Sequence, residues 1–270
     1  MVSWVSRFVP YVLLVFIGIA NALPVPLTSF NLSLYLADNG FGHDAIGLFS
    51  LLAIPLSLKL LWSPLIDTCS LPFFSQSPRK GWMAFSLIGM ALSLAGMGLI
   101  NPGANTGLFA ASLFSLCSFT GCLYIVGLAY ELESIDENSY SLGSASIVAG
   151  YRLGLLFAGA GVLYIAYLYS WQVAFLSMAA ILLLGCIAVV LQREPYKSQA
   201  ILAEKRMRFS NHASLYSAFW HETIRKPSSN FFQRQDWLVV LLIIILFKSG
   251  NHIAKAMEGP FYLDIGFSKA

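Results

Sequence analysis

Charge is what this sequence has least of. Lys and Arg number 16 and Asp and Glu 13, together 11% of 270 residues, where soluble domains carry nearer a quarter. That shortage excludes an ordinary water-soluble domain, and a formal net charge of +3 gives no ground for a nucleic-acid partner. Histidine is also sparse. His43, His212, His221 and His252 are scattered, and none forms the helical pair that a metalloprotease or desaturase needs. Cysteine is limited to Cys69, Cys117, Cys122 and Cys186, too few and too widely spaced for a metal site, and they read as small packing residues. No serine sits in a Gly-x-Ser-x-Gly elbow. The sequence therefore predicts neither an enzyme nor a cofactor- or metal-binding protein.

Apolar length is what the chain has in abundance. Hydrophobic residues make up 57% of it and the mean hydropathy is +0.72. A bilayer core about 30 Å thick needs roughly 20 apolar residues per helix. Runs of that kind lie at 9–35, 44–65, 82–100, 107–130, 142–168 and 171–191, and a seventh at 237–261. The predicted class is an all-α polytopic membrane protein whose partner is the lipid bilayer. The first run is too long for a signal sequence and shows no convincing cleavage site, so it is expected to stay as the first span.

The few basic residues fall on one side. Arg7 precedes the first span, Arg79 and Lys80 separate the second from the third, and eight more lie between the sixth and seventh. Loops 36–43, 101–106 and 169–170 contain none. This asymmetry predicts a cytoplasmic N-terminus. The loop at 131–141 carries only acids, which weigh little in orientation.

The chain also repeats itself. The first span leaves the membrane through Asp38-Asn39-Gly40-Phe41 and the seventh through Asp264-Ile265-Gly266-Phe267. Between the sixth and seventh spans lies a basic insertion at 192–236, readable as a linker or as an amphipathic segment (201–220) on the inner membrane surface. Parallel repeats of six helices build the halves of major facilitators. The predicted organisation is a six-helix bundle at 1–191, a basic cytoplasmic linker at 192–236, and at 237–270 the first helix of a second half. Because Ala270 falls where that half would turn into its next helix, a truncated reading frame or a separately read piece is expected.

Three stretches resemble the AmpG-type muropeptide permeases of the major facilitator superfamily. One is Pro55-Leu56-Ser57-Leu58-Lys59-Leu60-Leu61-Trp62-Ser63-Pro64-Leu65-Ile66-Asp67, the most specific. The second is Gly150-Tyr151-Arg152-Leu153-Gly154, followed by Trp171 and Met178-Ala179-Ala180. The third joins Phe231-Phe232-Gln233-Arg234, Leu246-Phe247-Lys248-Ser249-Gly250 and Pro260-Phe261-Tyr262-Leu263. The resemblance implies a proton symporter of the bacterial inner membrane that imports anhydro-muropeptides for peptidoglycan recycling. Leu128, Glu131 and Asn251 depart from the family pattern, which has aspartates at the first and last of these places and a basic residue at the second. Competing readings are a facilitator for a sugar, nucleotide-sugar or acyl-CoA, and an inactive transporter fragment.

Ionisable groups inside a membrane are functional suspects. Arg152, beside Tyr151, is placed to grip a substrate carboxylate with two parallel hydrogen bonds; the competing reading pairs it with Glu131 or Glu133. Lys59 and Lys248 face either a central cavity or the interface, since long basic chains snorkel. Lys255 reads as reaching outer water. Asn21 begins a polar stretch broken by Pro24 and Pro26, a substrate contact or a packing kink. Asp67, with Arg79 and Lys80, resembles the acidic-then-basic motif between helices 2 and 3 of major facilitators, and reads as a gate latch or a solvated turn. Glu131 and Glu133 are the remaining candidates for coupling.

Overall fold

The computed structural model describes residues 2–28, 30–57, 77–135 and 139–191, and isolated positions at 59, 62–63, 66, 71 and 74. Further on it describes positions 200, 203, 225, 229, 232–233, 235–240 and 242–243. The side chains of 2–9, His43 and Ser57 lie outside the description, as do Asp67, Lys248, Asn251 and Lys255. The chain divides into two compact units, residues 1–210 and 211–270.

Among the described residues the first unit is helical, with no strand. The helices are α1 (Val2–Ala22), α2 (Pro24–Leu27), α3 (Phe30–Asp38), α4 (His43–Ser50), α5 (Ile54–Ser57), α6 (Pro78–Leu99), α7 (Thr106–Ser134), α8 (Tyr140–Leu156), α9 (Val162–Leu168) and α10 (Trp171–Leu191). A 3₁₀ turn (Leu51–Ala53) joins α4 to α5, and a π-turn (Phe157–Gly161) joins α8 to α9. Among the described residues, five stretches are long and apolar enough to cross a membrane: Pro10–Leu27, Pro78–Leu99, Thr106–Ser134, Tyr140–Leu168 and Trp171–Leu191.

Proline explains where the first two expected spans depart from single rods. Pro24 and Pro26 have no amide hydrogen for the carbonyls of Ala20 and Ala22. The helix is accordingly interrupted on both sides of α2, at Leu23 and at Thr28. Thr28 repairs its own end: its amide bonds Pro24 at 2.8 Å and its hydroxyl bonds Val25 at 3.2 Å. In the second stretch Pro55 cannot serve Leu51, whose carbonyl instead takes the Ile54 amide, and the helix tightens there into a 3₁₀ turn. The sequence predicts one helix over 44–65; the described part runs as α4, turn and α5 to Ser57.

Small residues decide which rods touch. α1 packs along α8, α6 along both α7 and α10. At the first contact a β-carbon on Gly18 would strike the carbonyl of Ile147, one on Gly150 the carbonyl of Val15, and one on Gly154 that of Ile19. Within lipid, where helices gain little from burying apolar surface, such backbone approach supplies the packing energy. The Gly150 and Gly154 of the family-like motif are therefore helix-contact residues.

At one end of the bundle an aromatic cluster closes the core. Tyr35 lies 5.6, 5.4 and 5.2 Å from Phe109, Trp171 and Phe175, ring centre to ring centre. The chain leaves α3 through Gly40, whose φ of +81° suits glycine. That turn brings Phe41 to 5.9 Å from Phe49. It also follows Asp38, which accepts a 2.9 Å hydrogen bond from the Trp171 indole. The Asp-x-Gly-Phe signature is thus a clasp between the first span and the start of α10. Trp171→Phe keeps a ring there but loses the donor. A loss of roughly 1 kcal/mol in the unfolding of the detergent-solubilised chain is the expected outcome.

In the second unit, the described positions include helical turns at 237–240 and 242–243. Phe232 and Trp237 meet edge to face at 5.1 Å.

Candidate functional site

One charged pair stands out in the first unit, where α6 begins and α7 ends. The Arg79 guanidinium donates to Glu133 through Nη2 at 2.7 Å to Oε1 and through Nε at 3.1 Å to Oε2. Both side chains are buried, 2% and 6% exposed. Each charge sits badly with its own helix: a cation in a first turn and an anion in a last turn both oppose the helix dipole. Their positions make sense only as a pair, two parallel bonds tying one helix end to the other. Two residues earlier on α7, the buried Glu131 accepts 2.7 Å from the Ser144 hydroxyl of α8.

The candidates Lys59, Asn21 and Arg152 lie elsewhere in the first unit. The Lys59 ammonium stands 3.5 Å above the centre of the Tyr124 ring on α7. Tyr124 is 36% exposed, and at such exposure a cation over an aromatic face gains about 0.5–1 kcal/mol. Asn21 is half-buried, with its Oδ1 enclosed and unpartnered. Its Nδ2 lies 3.8 Å from where a β-carbon on Gly127 would be. Arg152 is exposed on α8, two residues from each of the contact glycines and so on the face turned away from α1. Neither Lys59 nor Arg152 has a carboxylate partner among the described residues.

Expectation and geometry can now be compared residue by residue. Of the gating and coupling candidates, Arg79 and Glu133 meet at the helix ends, while Glu131 bonds Ser144 instead. The alternative pairing of Arg152 with Glu131 or Glu133 is not made, because Arg79 and Ser144 occupy those carboxylates. Tyr151 is half-buried beside Gly18. Lys59 is held over the Tyr124 ring. Asp67 and Lys248 lie outside the described residues. Tyr124 and Ser144 have no sequence signal pointing to them, since an isolated aromatic or hydroxyl in an apolar span looks like packing. Cys117, Cys122 and Cys186 are buried free thiols. Among the described residues no group of three metal-ligating side chains converges.

Membrane-length apolar helices, with a buried ion pair tying the start of one to the end of another, define an all-α polytopic membrane protein. The sequence profile of the Major Facilitator Superfamily matches residues 5–264. The chain belongs to that superfamily. Within it, the chain is 31% identical to a transporter named AmpG 4 of Rickettsia conorii over 256 residues, 94% of this chain and 59% of that one. It is 30% identical to the anhydromuropeptide permease of Escherichia coli over 257 residues, 94% of this chain and 49% of that one. A transporter named AmpG 3 of Rickettsia typhi is 29% identical over 256 residues. The AmpG-type resemblance of the motifs is thus matched along nearly the whole chain. The chain spans about half to three-fifths of the length of these curated relatives.

Proposed function

We propose that this chain forms the N-terminal bundle of an importer of peptidoglycan turnover fragments, anhydro-muropeptides, in the bacterial inner membrane. Its N-terminus lies in the cytoplasm, as the distribution of Lys and Arg over the loops favours. Transport requires a second bundle facing this one across the cargo path, and the cargo enters with protons.

One observation carries the reading beyond kinship: Lys59 and Arg152, cations in or beside the apolar stretches, have no carboxylate partner among the described residues. An unpaired cation in a membrane is costly, and anionic cargo relieves it. A muropeptide stem peptide brings free carboxylates. Tyr124 then acts as the resting support of Lys59 until a carboxylate takes its place, while Asn21 and Tyr151 contact polar parts of the cargo. Lys248, outside the described residues, is a further candidate cation for the cargo. Arg79 and Glu133, with Asp67, hold the inner ends of the helices closed. Glu131, bonded to a hydroxyl rather than to a cation, is the coupling carboxylate.

The test is uptake of labelled anhydro-muropeptide by a strain lacking its own permease and expressing this chain together with a second six-helix bundle. Lys59→Met and Arg152→Leu each remove a charge-assisted bond of about 1.5–3 kcal/mol, so uptake at low substrate is expected to fall roughly ten- to a hundredfold. With stem carboxylates amidated, wild type and variants are expected to converge. Uptake of a neutral sugar alone would sink the proposal. Competition by a nucleotide-sugar or an acyl-CoA, without muropeptide uptake, would reassign the cargo to another anion.

A further inference from the structure

The fifth span contains a feature that neither the transporter kinship nor the charged groups explain. Between α8 and α9, Phe157-Ala158-Gly159-Ala160-Gly161 forms a π-turn. The Val162 amide, which in an α-helix would bond Ala158, bonds Phe157 and Gly159 instead. The Ala158 carbonyl deprived in this way receives the side-chain amide of Asn31, at 2.5 Å. Asn31 comes from α3, beyond the proline break of the first span, and is 1% exposed. Its other amide atom, Oδ1, is buried with no partner.

Three properties make this a latch rather than packing. First, single-turn π-bulges inside α-helices recur at functional sites, and the extra residue one carries can be accommodated at more than one place along the helix. Second, a β-carbon on Gly159 would meet nothing within 4 Å, and Ala160 is exposed, so the turn has room to rearrange. Third, the bond that holds it is bought with an orphaned acceptor on the same side chain, which leaves the held state only weakly preferred. Arg152 lies five residues before the turn on the same span.

We propose that Asn31 latches a register switch in the fifth span. While Asn31 holds the Ala158 carbonyl, the extra residue stays at 157–161. When it lets go, the π-turn passes toward α8, and the segment it crosses rotates by one residue, about 100°. Arg152 turns with that segment, so the switch sets which way its guanidinium faces. Asn31 is a positioning residue, acting on Arg152 through the helix backbone. The switch does not depend on what Arg152 binds.

Nitroxide scanning of residues 145–168 reads the register directly. The chain, in nanodiscs and with its four cysteines replaced, carries one label at a time, and accessibility to oxygen is plotted against residue number. In the native background the helical pattern is expected to slip by about 100° between 156 and 162. With Asn31→Leu, which matches the volume without a donor, the slip is expected to move toward Arg152 or to vanish. Deleting Ala160 is expected to give an unbroken helical pattern and a folded, monodisperse protein. A slip that stays in place in Asn31→Leu overturns the proposal, as does aggregation of the deletion variant. Should Asn31→Leu not fold, Asn31→Ser takes its place, its hydroxyl being too short to reach Ala158, and the same two outcomes decide.

Discussion

Arg79→Met alone, or Glu133→Leu alone, is expected to lower the stability of the helical bundle by about 3–5 kcal/mol, while the double variant recovers most of the loss. The reason is geometric. The two side chains are 2% and 6% exposed and share bonds of 2.7 and 3.1 Å. Removing one leaves the other charged, dry and opposed by its own helix dipole. Removing both replaces a desolvated pair with apolar volume, which buried environments tolerate well. A double-mutant cycle on denaturant-induced unfolding in detergent measures the coupling. Single variants within about half a kilocalorie of wild type would mean the pair is solvated and the bundle ends are not tied by it.

The second large effect concerns the contact of α1 with α8. Gly150→Val is expected to separate these helices, because the new β-carbon would overlap the backbone carbonyl of Val15. Overpacking typically costs about 1–3 kcal/mol when side chains can yield. Here the obstacle is backbone, which cannot rotate aside, so the cost lies at or above the upper figure. Gly18→Val, striking the carbonyl of Ile147, is expected to behave alike. Gly185→Ala is the control. No atom lies within 4 Å of its new methyl, and it sits inside α10. Loss of glycine's backbone freedom there is expected to stabilise by roughly 0.5–1 kcal/mol. Thermal unfolding of the three variants in one detergent checks all of this. A Gly150→Val protein as stable as wild type would show that α1 and α8 do not approach so closely.

How far these features can be read from sequence follows from what each depends on. Spans three to six were legible because bilayer thickness imposes a length. The sixth matches residue for residue, 171–191 expected and Trp171–Leu191 found. Pro24 and Pro26 announced a break for a local reason, the missing amide hydrogens. The crowding of small residues around Arg152 was visible too, but not that Gly150 and Gly154 answer Gly18 on another helix. The Arg79–Glu133 pair escaped because 54 residues separate its members and two acids compete for every cation in a one-dimensional reading. The π-turn escaped for a different reason. In a span apolar on nearly all sides, one extra residue leaves no trace in the hydrophobic pattern.

Set head to tail against their own helices, Arg79 and Glu133 are a liability apart and an asset together. Mutation arrives one codon at a time, so any path that replaces this pair passes through a damaged intermediate. The two positions should therefore be inherited as a block across descendants, changing rarely, and changing in step when they change at all.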